Sequence, residues 1–190
     1  MEKMTKKTNG VSGSGTAIAA AVGGLAIGLL ANSGRKTVLQ AIDASHGDWD
    51  DVLKAEHDAT IVMFDKIAET TEKQVTKRKA LLAQLKHALT KHAYQEENVV
   101  YPAMREQGLA TDADHLNEDH GYVKQYLYEL TELPPSSPSW MSKVTEFRDR
   151  LEQHVREEEN ELFPQLKEKL GQKGSARVTS AMNKEGWKLA

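Results

Sequence analysis

Apolar residues recur in steps of three and four along four separate stretches of this chain. The first carries Leu53, His57, Ile61 and Phe64, and the second Leu85, Leu89, His92, Glu96 and Val99. The third carries Leu116, His120, Val123 and Leu127, and the fourth Phe147, Leu151, His154, Glu158 and Leu162. That period marks amphipathic helices with one buried face. Start and stop signals bound them. Helix one is predicted from Asp48 to Thr70, with Trp49 packing at its start. Helix two runs from Glu72 to Gln107; Thr71 and Gln74 resemble a capping box, and Gly108 is its stop. Helix three runs from Asp112, capped by Thr111, to Glu132. The loop Leu133-Pro134-Pro135-Ser136-Ser137-Pro138 follows, and helix four runs from Ser139 to Leu170, ended by Gly171. Pro102 and Pro164 fall inside helices two and four and are expected to kink them.

The polar residues interrupting these stripes are the informative ones. His92 to Pro102 reads HAYQEENVVYP, and His154 to Pro164 reads HVREEENELFP. Both are His, three residues, Glu-Glu-Asn, two residues, an aromatic and Pro. The match extends upstream, because Leu85 and Leu89 precede His92 as Phe147 and Leu151 precede His154. A second pair agrees too: Leu53-x-x-Glu56-His57 and Leu116-x-x-Asp119-His120. His57 lies 35 residues before His92, and His120 lies 34 before His154. The chain therefore reads as two copies of one helix-pair unit, each supplying a lone His and then a His-x3-Glu.

On a helix, residues four apart are offset by about 40° and one turn, so His and Glu of each motif face the same point. Imidazole nitrogen and carboxylate oxygen converging there suit a first-row transition metal such as iron, manganese or zinc. A lone His on an apolar stripe is more often a hydrogen-bonded core residue than a ligand. Six such residues repeated in register on four helices reverse that judgement. Burying a bare carboxylate costs several kcal/mol unless it is paired or metal-bound, and here two face four imidazoles. The candidate ligands are His57, His92, Glu96, His120, His154 and Glu158.

These residues resemble the hemerythrin-like, or HHE cation-binding, domain. The resemblance rests on His57, His92-x3-Glu96-Glu97 with Tyr101-Pro102, His120, and His154-x3-Glu158-Glu159 with Phe163-Pro164, and covers residues 48 to 170. It implies an all-α, antiparallel up-down-up-down four-helix bundle holding two non-haem irons joined by an oxo or hydroxo bridge. By the same resemblance the four histidines are terminal ligands, and Glu96 and Glu158 bridge the two metals. Manganese or zinc would also suit the donors. The chain departs from oxygen-carrying hemerythrins in lacking a His-x3-His on the third helix, since neither Leu116 nor Lys124 supplies the second His. His115 is five residues from His120, about 140° around the helix. That departure argues against simple reversible oxygen carriage.

Composition adds limits. The chain has 190 residues, a net charge of −3 and 39% hydrophobic residues, enough for one domain with extensions. No basic face or aromatic-basic interleaving points to nucleic acid. Zero cysteines exclude disulfides, Cys-ligated zinc, iron–sulfur clusters and thiol catalysis. The domain is bounded as 48–171, with an extension over 1–47 and a tail over 172–190. In the extension, the apolar run Ala17 to Ala31 follows a basic start and precedes Arg35-Lys36. A signal peptide, a membrane span with a Gly24-x3-Gly28 packing face and a soluble Gly/Ala-rich helix compete for it. The expected location is the cytoplasm, with residues 17–31 as the membrane-association element if there is one. In the tail, Val178, Met182 and Trp187 are placed to pack on the bundle or another subunit. Tyr101 alone among the tyrosines occupies a matched position of the repeated motif. Its counterpart is Phe163, which argues against an essential hydroxyl.

Three functions follow. The first is a di-iron module that binds or senses oxygen, redox state or iron, with dioxygen or another small diatomic as its ligand. The second is an enzyme using the same centre on oxygen, peroxide or nitric oxide, or donating iron for repair. The third is a metal-free helical interaction protein. The first is favoured, because no nucleotide loop, nucleophile triad or second-substrate site is visible.

Overall fold

The structure is a computed structural model and describes residues 47–189. The run 17–31 lies outside the described residues. Among those described, no helix is long and apolar enough to cross a membrane, and no strand occurs.

Four helical rods form the bundle. The first is α1 (Trp49–Ala68). The second is α2 (Val75–Gln95), a π-helical turn over Glu96–Val100, and α3 (Tyr101–Glu106). The third is α4 (Ala110–Glu132). The fourth is α5 (Pro138–Glu157), a second π turn over Glu158–Leu162, and α6 (Phe163–Leu189). Short connections make successive rods antiparallel neighbours: α1 packs on α2, α3 on α4, and α4 on α5, while α5 and α6 close back on α1. Apart from the C-terminal end of the fourth rod, the sequence-predicted boundaries hold to within a few residues. Gly108, with φ +81°, closes α3: the Leu109 amide donates to Met104 O at 2.9 Å and the Gly108 amide to Arg105 O at 3.2 Å, a left-handed cap that glycine adopts without Cβ strain. Ser137 caps α5 and Pro138 occupies its first turn, where a missing amide costs nothing. Helix two starts later than expected, at Val75. Only one half of its capping box forms, the Thr71 amide donating to Gln74 Oε1 at 2.9 Å. Helix three starts at Ala110 without a side-chain cap from Thr111.

The expected proline kinks take a specific form. Each proline is absorbed by a π turn immediately before it, closed by a five-residue bond: Tyr101 N–H to Glu96 O, and Phe163 N–H to Glu158 O. The Asn of each Glu-Glu-Asn completes the turn. Asn98 Nδ2 donates to Tyr94 O at 2.8 Å and Asn160 Nδ2 to Arg156 O at 2.9 Å, satisfying a carbonyl four residues back. Such insertions change the rotation of a helix and recur at functional sites. Here they fall on the candidate ligands.

The core is two apolar clusters. One contains Trp49, Leu53, Val100, Met104, Leu116 and Phe163; the other contains Phe64, Leu85, Leu89, Val123, Phe147 and Leu151. Along every rod, a candidate His lies between its members of the two clusters. A polar layer thus crosses the middle of the bundle, held from both sides by apolar burial worth roughly 1.5–3 kcal/mol per large side chain.

Beyond Gly171, whose backbone is non-helical, α6 continues as helix to Leu189, where the sequence shows only a weakly patterned tail. Its anchors are polar as well as apolar, which is why a hydrophobic period does not reveal it. The Trp49 indole donates to Ser175 Oγ at 2.9 Å and the Trp49 amide to Thr179 Oγ1 at 3.0 Å. Val178 and Met182 join the core as expected, whereas Trp187 is 55% exposed. Gly186 lets the helix approach closely, because a Cβ there would stand 2.7 Å from Gln95 Nε2 and 3.5 Å from Lys91 Cε.

Candidate metal centre

Each rod contributes to the polar layer by its helical period. The α1 stripe delivers His57, α2 delivers His92 and, at the first π turn, Glu96. His120 comes from α4, His154 from α5, and Glu158 from the second π turn. All six are at most 5% exposed, and both glutamates are at 0%.

The two carboxylates stand between histidines of different rods. Glu96 Oε2 lies 3.1 Å from His92 Nε2 and 3.2 Å from His120 Nε2. Glu158 Oε2 lies 3.4 Å from both His57 Nε2 and His154 Nε2. The His57 and His92 Nε2 atoms are 3.0 Å apart. Two overlapping groups result, His57-His92-Glu96-Glu158 and Glu96-His120-His154, each with donor atoms within 4.8 Å of one another. Glu96 belongs to both.

Each imidazole has a further carboxylate behind its Nδ1, and three of the four are hydrogen-bonded to it. His57 Nδ1 meets Glu159 Oε1 at 2.8 Å, His92 meets Glu56 Oε2 at 3.0 Å, and His120 meets Glu97 Oε1 at 3.0 Å. Asp119 Oδ2 lies 3.5 Å from His154 Nδ1. The pairing follows the repeat. The acid before each lone His serves the His-x3-Glu histidine of its own copy, and the second Glu of each Glu-Glu serves the lone His of the other copy. Where Nδ1–H is donated outward, as the contacts of His57, His92 and His120 allow, the Nε2 lone pair points into the layer, the tautomer a metal-binding histidine needs. Cations hold three of the four acids: Lys91 Nζ on Glu56 at 2.8 Å, Lys124 Nζ on Glu97 at 2.7 Å, and Arg150 on Asp119 Oδ1.

Burial lowers the proton affinity of the histidines, but the carboxylates overcome it. His57 is raised by Glu158 and Glu159, His92 is raised well above its ordinary value by Glu96 and Glu56, and His120 is raised to about 9 by Glu96 and Glu97. Burial would push Glu96 up, yet His92 and His120 hold it well below the usual carboxylate range. Protons alone leave the layer poorly satisfied. Both Glu96 oxygens, Glu158 Oε2 and both His154 ring nitrogens are buried without a hydrogen-bond partner. Their contacts at 3.1–3.5 Å are close enough for charge attraction but poorly aligned for hydrogen bonds. Buried polar atoms are normally satisfied, and mixed nitrogen and oxygen donors of this kind fit a divalent first-row metal.

The sequence placed all six candidate residues together, and the structure brings all six to one layer. It did not reveal the outer acids as a set or Lys91, whose position beside His92 carries no periodic signal. Tyr101 differs from its sequence reading. Its hydroxyl is fully buried, 3.0 Å from His120 Nε2, and donates to Glu158 Oε1 at 3.0 Å. Burial and the charges of Glu158 and Glu96 push its pKa well above the ordinary value. Phe163, its counterpart, stacks on His57 at 6.3 Å between ring centroids. The substitution therefore makes the two halves of the layer chemically unequal. His115 stays outside the layer, half-exposed and 3.3 Å from Glu157.

A family model described as the hemerythrin HHE cation binding domain matches residues 50–166. A DNA nickase of Nostoc sp. (strain PCC 7120) is 28% identical over 133 residues, covering 70% of this chain and 37% of that protein. An uncharacterized hemerythrin-like protein of Schizosaccharomyces pombe is 27% identical over 100 residues, covering 50% of this chain and 49% of that protein. The chain thus spans less than half the length of these relatives. No solved structure matches it significantly. The matched segment carries every rod of the bundle and all six residues of the polar layer, and the chain belongs to the hemerythrin HHE cation-binding domain family.

Proposed function

We propose that the chain holds two iron ions in this layer, with the four histidines as terminal ligands and Glu96 and Glu158 spanning the pair, and that it binds or senses dioxygen or another small diatomic. The observation that carries this reading is the sharing of each carboxylate between two histidines, Glu96 at 3.1 and 3.2 Å and Glu158 at 3.4 Å twice. When bound, a reduced iron pair supplies electrons and an open position for a small oxidising ligand. The protein's part is to fix the imidazoles through their outer acids, to exclude water with the two apolar clusters, and to present the Tyr101 hydroxyl as a hydrogen-bond donor in the His120 half. That hydroxyl favours a second reading, an enzyme acting on oxygen, peroxide or nitric oxide, because bond-breaking chemistry benefits from a buried donor. Nicking of DNA is the named activity of the Nostoc protein and is not carried over to a chain covering 37% of it. Metal content and the absorption spectrum of protein purified in air test the proposal. Two irons per chain with near-ultraviolet bands of a coupled ferric pair are expected. A spectrally silent zinc protein would contradict it, and turnover of peroxide or nitric oxide would move the assignment to the second reading.

A further inference from the structure

We propose that His115, Asp119 and Glu157 form a surface site for a divalent transition-metal ion, through which metal enters and leaves the buried centre. The inference rests on the metal-centre reading above. All six inner residues are at most 5% exposed, so an ion reaching them needs a route and a place to shed its water. Among the described residues, this is the one group with metal-ligand spacing outside the buried layer, its donor atoms all within 4.8 Å of one another. His115 and Asp119 stand four apart on α4, a third His-x3-carboxylate on one helix face. Glu157 approaches from α5, 3.3 Å from His115 Nε2, and directly precedes the inner Glu158.

Exposure falls inward across the group. The side chains of His115, Glu157 and Asp119 are 48%, 31% and 6% exposed. Asp119 adjoins the centre from behind, because its Oδ2 lies 3.5 Å from the outward-facing Nδ1 of His154. The equivalent arm in the other half differs in its cation rather than in its acid, since the Glu56 side chain is 15% exposed. There Glu56 is held by Lys91, which is 4% exposed and covered by the C-terminal helix at Gly186. Two carboxylates and one guanidinium, Arg150 on Asp119 Oδ1, leave the outer group net negative and attractive to a cation. Arg150 also competes with that cation for Asp119, which suits a weak transit site rather than a store. One imidazole and two carboxylates accept ferrous, manganous or zinc ions alike.

Zinc is the probe, and full-length iron-loaded protein is the sample. After dialysis against zinc, the parent is expected to carry one zinc beyond its iron, and His115→Ala to carry none while its iron content is unchanged. In the same preparations, iron release to a chelator should be slower in the His115→Ala/Glu157→Gln double variant than in the parent. No extra zinc in the parent, equal zinc in His115→Ala, or unaltered iron release in the double variant would each overturn the proposal. A parent that holds no paired iron at the outset would instead overturn the metal-centre reading on which it stands.

Discussion

The two halves of the polar layer come from two copies of one sequence unit, yet they are finished differently. In one, His92 is backed by Glu56, and Glu56 by Lys91, whose side chain is 5% exposed. In the other, His154 is backed by Asp119, and Asp119 by Arg150, whose side chain is 36% exposed. The aromatic of the motif differs too: Phe163 stacks on His57, while Tyr101 donates a hydrogen bond to Glu158. The repeat fixes which donors converge. The residues around it decide which half has a buried cation behind its acid and which has a more exposed one.

The largest expected contrast comes from removing the two backing cations. Lys91→Met leaves Glu56 short of its partner in a buried setting and is expected to destabilise the fold by about 3 kcal/mol. Arg150→Met removes a partner that is 36% exposed from an acid that is 6% exposed, and is expected to cost less, about 1–2 kcal/mol. Urea unfolding of both variants reads this directly, and equal losses would erase the distinction between a buried and a more exposed backing cation.

Next comes the response of the metal-free protein to pH. His57, His92 and His120 bind protons more tightly folded than unfolded. Their contribution to stability is complete below the unfolded value of about 6.5 and disappears as pH rises through the folded values, about 9 for His120. For His120 alone this amounts to at most about 3 kcal/mol. Metal requires the same imidazoles deprotonated, so the loaded protein should lose metal on acidification. Melting temperatures of the two forms measured across this range should separate as pH rises. Parallel curves would mean that the histidines are not the linked groups.

Tyr101→Phe makes the two halves alike. In the metal-free protein it leaves Glu158 Oε1 without its donor and is expected to cost about 1–2 kcal/mol. With metal bound the cost should shrink, because the carboxylate has another partner. An equal cost in both forms, by thermal unfolding, would separate Tyr101 from the centre.

The smallest effect is expected at Gly186. Alanine there must displace the Gln95 side chain, loosening the end of α6 at a cost of about 1 kcal/mol while metal content holds. Hydrogen exchange confined to the last turns of α6 would show it.

Much of this was readable from sequence because the determinants are periodic. A face repeating every three or four residues gave the rods, the doubled His-x3-Glu-Glu-Asn frame gave four of the six inner residues, and the repeated acid-His pair gave His57 and His120. What was hidden depends on contacts across rods. Glu97 and Glu159 look like spare acids until they are seen on the histidines of the opposite copy. Asn98 and Asn160 look like surface residues until the π turn they complete is seen. Tyr101 was discounted because Phe163 occupies the matching position, an inference that assumes the copies stay equivalent. The C-terminal helix was obscured because Ser175 and Thr179, which anchor it to Trp49, are polar.

The central claim is that Glu96 and Glu158 each serve both metals while their neighbours only orient histidines. Iron content of Glu158→Ala and Glu159→Ala, loaded side by side at saturating iron, tests it most directly. Glu158→Ala should lose both irons or keep a single uncoupled ion. Glu159→Ala, which only releases His57 Nδ1 from its 2.8 Å contact, should still carry the coupled pair with weakened affinity. Equal loss in the two variants, or no loss in either, would contradict the account.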